Sequence, residues 1–270
     1  MNITFIGGGN MAAALIGGLL GKGHAAAGLC VVEPQAEARA RLAAQFGVSC
    51  VGTVAAAPLG EAVLLAVKPQ QMRAAAAALQ PHLAQELVIS IAAGIRLSDL
   101  SRWLGGYACM VRCMPNTPAL VGAGITGLYA GTAVGAQQRT LAETILGTVG
   151  ATLWVADESM LDPVTAISGS GPAYVFYFIE ALQLAATEMG FSGADARKLA
   201  IETFLGAARL AARSAEDVML LRERVTSKGG TTERALASMQ ADRVKELIVR
   251  ALHAANERAH ELGEQLGADE

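Results

Sequence analysis

The chain has 270 residues, 53% of them hydrophobic and 17% charged, with a formal net charge of −3. That length suits one large domain or two ordinary ones, and the apolar composition excludes disorder in favour of extensive buried surface, an oligomer interface included. The small negative charge offers no electrostatic footprint for nucleic acid or an anionic membrane surface.

The N-terminus, Met1-Asn2-Ile3-Thr4-Phe5, enters an apolar segment with no basic region before it, which is not the pattern of a secretory leader. ITFIG (3–7) reads as the first strand, and 10–22 as the helix after it. LCVVE (29–33), AVLLAV (62–67), LVISIA (87–92) and ACMVRC (108–113) read as further strands, with helices over 35–46 and 69–80. Strand–helix alternation with near-continuous apolar strands predicts a parallel sheet covered on both faces. ITGLYA (125–130) and ATLWVA (151–156) are expected to extend it at one end. After Asp162-Pro163 only helical spacing remains, over 172–190, 194–213 and 233–262. The segment 172–190 is apolar almost all round, so it should be covered from several sides, by a partner subunit above all. No apolar run reaches the roughly 18 residues of a membrane span. The cysteines, Cys30, Cys50, Cys109 and Cys113, are scattered and read as buried or inert thiols in a reducing cytoplasm. Cys109 and Cys113 have no further Cys or His set beside them, so no metal is expected.

IGGGNMA (6–12) follows a strand and opens a helix with the spacing Gly7-x-Gly9-x-x-Ala12. The first glycine makes the turn, the second lets backbone approach a pyrophosphate, and the small third residue lets helix pack on strand. A tight glycine turn without a ligand would use the same residues. Glu33 ends the second strand, where a carboxylate would bind adenosine ribose hydroxyls and repel a 2′-phosphate, favouring NADH over NADPH. Arg39 and Arg41 lie too far along the next helix to overrule it, and Glu33 could equally cap a strand end. Val67, Lys68 and Pro69 of VKPQ stand at another strand terminus, where ligands bind in such sheets. RCMPNTPAL (112–120) ends a strand in a turn bracketed by two prolines and carrying Asn116, either a rigid structural turn or a cofactor wall.

Two later stretches are less ordinary. SGSGPAYVF (168–176) places Ser168, Gly169, Ser170 and Gly171 before Pro172 at a helix start. VTSKGGTTERAL (225–236) sets two glycines among four hydroxyl residues, more polarity than a helix connection needs. Together with IGGGNMA, AVKP and MPNTP they occur in the order and spacing of pyrroline-5-carboxylate reductases, which the whole chain resembles.

The resemblance implies an N-terminal Rossmann dinucleotide-binding domain, residues 1–158, and an all-α substrate-binding and dimerisation domain, residues 159–270. It implies reduction of the cyclic imine of L-1-pyrroline-5-carboxylate to L-proline, the last step of proline biosynthesis. The reductant would be NADH or NADPH, in a homodimer often assembled further into decamers with the active site between domains. Cofactor contacts are implied at Ile6, Gly7, Gly8, Gly9, Asn10, Met11, Glu33, Thr53, Ala66, Val67, Lys68, Pro69, Ala92, Ala93, Gly94 and Asn116. Gly229, Gly230, Thr231, Thr232 and Glu158 would hold the substrate, with Thr232 and Ser227 nearest the reacting atoms. Oriented amides at the start of a helix can bind one carboxylate without lysine or arginine, and Gly230 is expected at positive φ to allow that approach. Relatives that favour NADP carry a small polar residue at the place of Glu33. Val218 stands where the family often has proline, and Arg224 where relatives have a small amide. A protonated imine already carries the charge that accepts hydride, so no acid–base pair is required, and His24, His82, His253 and His260 are given no role.

Two other readings stay open. β-Hydroxyacid dehydrogenases share the two-domain plan but use a lysine in the first long helix of the second domain, and 168–190 contains none. A non-catalytic dinucleotide sensor would keep the glycine loop without needing VTSKGGTT.

Overall fold

The structure is a computed structural model that describes residues 1–268. Eight strands form one sheet: β1 (Ile3–Ile6), β2 (Leu29–Val32), β3 (Ser49–Val51), β4 (Ala62–Leu65), β5 (Leu87–Ser90), β6 (Met110–Met114), β7 (Gly124–Ala130) and β8 (Gly150–Trp154). Their spatial order is β3-β2-β1-β4-β5-β6-β7-β8. The first six run parallel; β7 is antiparallel to β6, and β8 is parallel to β7. β1, β2, β4 and β5 are buried along their whole length, as apolar strands between two helical layers must be.

Eleven α-helices accompany the sheet among the described residues. They are α1 (Asn10–Gly21), α2 (Ala36–Phe46), α3 (Met72–Leu79), α4 (Leu97–Trp103), α5 (Ala136–Leu146), α6 (Leu161–Val164), α7 (Gly171–Glu188), α8 (Gly193–Arg213), α9 (Val218–Arg224), α10 (Thr231–Ala241) and α11 (Val244–Gly267). The period-2 alternation of the strands sorts the core into two layers. Phe5, Val31, Leu64 and Ile89 face Leu15 and Ile16 of α1, Leu42 of α2 and Ile145 of α5. Ile6, Val63, Leu65 and Val88 face Met72 and Ala76 of α3 and Leu100 of α4.

The chain divides into two compact units, one of residues Met1–Ser170 with the chain from Ala255 on, the other Gly171–Ala254. In the first, the second half of α11 packs close to the loop after β5. Gly94 there has φ +78, which disfavours a side chain, and a Cβ would displace Leu266 Cδ1, 2.8 Å away. In the second, α7 packs beside α8. Residues 165–169, between α6 and α7, form one π-helical turn in which Ser170 N–H donates to Thr165 O at 2.8 Å.

Several elements depart from the sequence reading. β3 is a three-residue edge strand with no apolar run to announce it, and α4, α5 and α9 carry no strong periodic signal. The helix expected over 233–262 is two helices, broken where Arg243 adopts φ 54, a left-handed turn without the glycine that usually marks one. The added end of the sheet joins by an antiparallel strand rather than by continuing the parallel run.

Candidate active site

β1 and α1 meet at the glycine loop, where the strand order reverses between β1 and β4. Ligands of open α/β sheets bind at such a point, outside the strand C-termini. A cavity of about 750 Å³ lies there, within the range of small-molecule sites. It gathers Ile6, Gly7, Gly8 and Gly9 from the loop, Glu33 from the end of β2, Thr53 after β3, and Ala66, Val67 and Lys68 after β4.

The three glycines differ in what demands them. Gly7 has φ +99, and a Cβ there would lie 2.8 Å from Ala66 O, so the fold itself requires it. At Gly8 a Cβ would come within 2.5 Å of Leu42 Cδ1, a side-chain end that would have to shift. At Gly9 a Cβ would meet nothing within 4 Å. No contact among the described residues needs that glycine, yet it lines the cavity at the start of α1, where no side chain caps the helix. Open space before uncapped amides fits a pyrophosphate.

Glu33 is held by backbone: Gly8 N–H donates to Oε2 at 3.1 Å and Gln35 N–H to Oε1 at 3.0 Å. Arg39 is closer than its sequence position suggested. Its side chain folds back along α2, and Nη1 donates to Glu33 O at 2.8 Å and Pro34 O at 2.7 Å. A long side chain thus spans the turn that the residue count measures, although Arg39 does not line the cavity.

The other expected cofactor residues lie off the cavity lining. Asn10 and Met11 open α1, and Met11 packs against the core. Pro69 begins the short turn into α3, Ala92 is buried and Ala93 exposed. Asn116 is buried and bonded at both ends of its amide: Nδ2 donates to Ser168 O at 3.1 Å, and Oδ1 accepts from Ile125 N–H at 2.9 Å. It ties the proline-bracketed turn to the π turn that carries the SGSG segment. At Gly169 a Cβ would lie 2.5 Å from Met114 Cε, the mobile end of a methionine side chain on β6 that would have to shift.

Glu158 Oε1 accepts from Leu97 N–H at 2.7 Å and from Arg112 Nη1 at 3.0 Å. Arg112 is buried and also faces Asp162 at 3.7 Å, while His260 Nδ1 stands 3.4 Å from Asp162 Oδ2 and 3.3 Å from Arg96 Nη2. Sequence reasoning missed this charge cluster, since its members are scattered along the chain and meet only through the tertiary fold.

In the second unit the 225–236 loop joins α9 to α10. Thr226 Oγ1 donates back to Arg222 O, closing α9, and Gly229 N–H donates to Glu233 Oε2 at 2.6 Å. The positive φ belongs to Gly229 (+73); Gly230 is extended, at φ −86 and ψ 175, which corrects the expectation for Gly230. Gly230 caps α10 with no side-chain bond. The hydroxyls of Ser227, Thr231 and Thr232 have no partner among the described residues. The amides of the double glycine are themselves engaged, Gly229 N–H by Glu233 Oε2 and Gly230 N–H by Ser227 O at 3.0 Å. The donors left at the start of α10 are therefore the amides of Thr231 and Thr232 and three hydroxyls. Arg224 pairs with Glu216 instead of pointing into it.

Burial pushes the thiols of Cys30, Cys50, Cys109 and Cys113 up from their ordinary range, so none is a thiolate nucleophile at neutral pH. Among the described residues no group of three or more His, Cys, Asp or Glu could hold a metal, and no helix is long and apolar enough to cross a membrane.

A switch-point cavity below a glycine loop, followed by a helical unit, defines a dinucleotide-binding oxidoreductase of the doubly wound class. A family model described as NADP oxidoreductase, coenzyme F420-dependent, matches residues 2–94, and one described as pyrroline-5-carboxylate reductase dimerisation matches 158–262. The pyrroline-5-carboxylate reductase of Pseudomonas aeruginosa is 48% identical over 267 residues, 98% of each chain. Two solved structures align over 97% of this chain and 98% of theirs. One is a pyrroline-5-carboxylate reductase from Coxiella burnetii (41% identity, TM-score 0.92), the other a Plasmodium falciparum pyrroline carboxylate reductase with NADP bound (28%, 0.87). The chain belongs to the pyrroline-5-carboxylate reductase family.

Proposed function

We propose that this chain reduces L-1-pyrroline-5-carboxylate to L-proline with NADH or NADPH, as the final step of proline biosynthesis. The observation that carries the reading is the pairing, in one chain, of a dinucleotide cavity with a separate anion cradle at 225–236. The cofactor supplies hydride. The chain's own residues bind, orient and exclude water. Gly9 with the amides of Asn10 and Met11 takes the pyrophosphate, Glu33 and Thr53 the adenosine ribose, and Ala66 to Pro69 with Ala92 to Gly94 border the remainder. Asn116, its side chain engaged, serves as a wall.

The amides of Thr231 and Thr232 and the hydroxyls of Ser227 and Thr232 hold the substrate carboxylate or reach the ring nitrogen. Gly229 and Gly230, their amides engaged by Glu233 and Ser227, shape the turn that lets the substrate approach. Among the described residues Glu158 Oε2 has no partner, and it is this oxygen that approaches the substrate. The protonated imine brings its own electrophilic charge, and hydride addition leaves a neutral amine, so positioning accounts for the catalysis. Residues 1–158 serve the dinucleotide, and 159–270 serve substrate and dimerisation. The unit of assembly is a homodimer, which can close further into a decamer, and the enzyme works in the cytoplasm. Neither a β-hydroxyacid dehydrogenase nor a non-catalytic sensor accounts for the cradle.

The test is oxidation of NADH and of NADPH by the full chain on adding pyrroline-5-carboxylate, with proline measured as product. Stoichiometric conversion is expected. Cofactor binding without substrate-dependent oxidation would favour the sensor reading instead.

A further inference from the structure

Glu33 lines the cavity, and Arg39, which does not, lies against the lining residues Glu33 and Pro34 at the same end. The Glu33 carboxylate is held by Gly8 N–H and Gln35 N–H. The Arg39 guanidinium is anchored through Nη1 alone, on the carbonyls of Glu33 and Pro34. Its Nη2 and Nε have no partner among the described residues. A Cβ on Gly52 would lie 3.5 Å from Nη1 and 3.7 Å from Cζ, ordinary contact distances, which places the guanidinium beside the residue after β3. Gly52, Thr53, Pro34 and Gln35 line the cavity at this end, where adenosine sits if the glycine loop takes the pyrophosphate.

A carboxylate alone would repel a phosphate on the ribose 2′-oxygen. A planar cation anchored on one nitrogen, with its other donors unengaged, supplies the complement, because guanidinium matches phosphate geometry and stays charged. Arg41, two residues on, is exposed and makes no such contact with the turn.

We infer that Arg39 is the cofactor-specificity residue of this enzyme: it binds the 2′-phosphate of NADPH, while Glu33 serves the 2′-hydroxyl of NADH, so that both are accepted. This rests on the dinucleotide reading of the cavity. It also revises the preference that Glu33 alone suggests, since the carboxylate no longer acts unopposed.

The experiment is calorimetric titration of the full-length protein with adenosine 2′,5′-bisphosphate and with 5′-AMP, which probe this end without the nicotinamide or the substrate. Arg39→Gln should weaken the bisphosphate about ten- to a hundredfold, the span of one hydrogen bond to a charged group, and leave 5′-AMP unchanged. Arg39→Lys should recover part of the loss. In turnover, KM for NADPH should rise in Arg39→Gln while KM for NADH holds. Equal loss of both nucleotides would mean that Arg39 only props the turn after β2, and no loss of either would mean it touches no phosphate; each overturns the inference and leaves the dinucleotide site standing. A wild-type chain that binds neither nucleotide would remove the dinucleotide site itself, and this inference with it.

Discussion

Gly229 is the residue of the substrate loop whose backbone conformation an L side chain resists. Its φ of +73 turns the chain between α9 and α10, and its amide is held by the Glu233 carboxylate. A β-branched residue at such a position costs on the order of 1–3 kcal/mol and would shift the amides that follow. Gly229→Val should therefore lower kcat/KM for pyrroline-5-carboxylate while leaving NADH binding intact, measured by steady-state kinetics and titration. Gly230 is extended, so alanine there meets no φ penalty, but its Cβ would lie 3.0 Å from Ser227 O, a tight contact with backbone. The sequence pattern located this loop but misassigned its left-handed residue, because adjacent glycines look alike until the turn is built. Glu33 and Arg39 teach the same lesson at the cofactor end. Spacing along a helix says where a Cα lies and not where a long side chain reaches.

At the scale of elements, β6 and the turns around it show what sequence could and could not reveal. The parallel strands were legible from their apolar runs, and the glycine loop from its place between a strand and a helix. β3 was not legible, because an edge strand with partly exposed residues needs no apolar run. The buried charge cluster was not legible either. Arg112 on β6 meets Glu158 before α6 and Asp162 within it, with His260 arriving from α11. The cluster and the Asn116 bonds fasten β6 to α6 and the π turn. Arg112→Met leaves two carboxylates without their buried cation, a loss on the order of 3 kcal/mol. A lowered urea midpoint at fixed protein concentration is expected; an unchanged midpoint would show that the cluster holds nothing together.

At the scale of the whole molecule, the second unit leaves much apolar surface uncovered within one chain. Phe176, Tyr177, Leu184 and Met189 are 65%, 72%, 62% and 79% exposed, an apolar surface on α7 and just beyond it of the kind that marks an interface. The expected cover is a second copy of this chain, in keeping with the dimerisation model matched over 158–262. Light scattering should give at least a dimer at micromolar concentration, and a stable monomer would contradict that. The central claim is a division of labour: one unit grips the dinucleotide, and the 225–236 loop grips the substrate. Thr232→Ala tests it most directly, since its hydroxyl has no partner within the described chain. Losing one hydrogen bond to a charged group costs about 1.5–3 kcal/mol, so kcat/KM for pyrroline-5-carboxylate should fall about ten- to a hundredfold while the Kd for NADH stays unchanged. Wild-type efficiency in Thr232→Ala would contradict the account and reduce the hydroxyl to part of a helix cap.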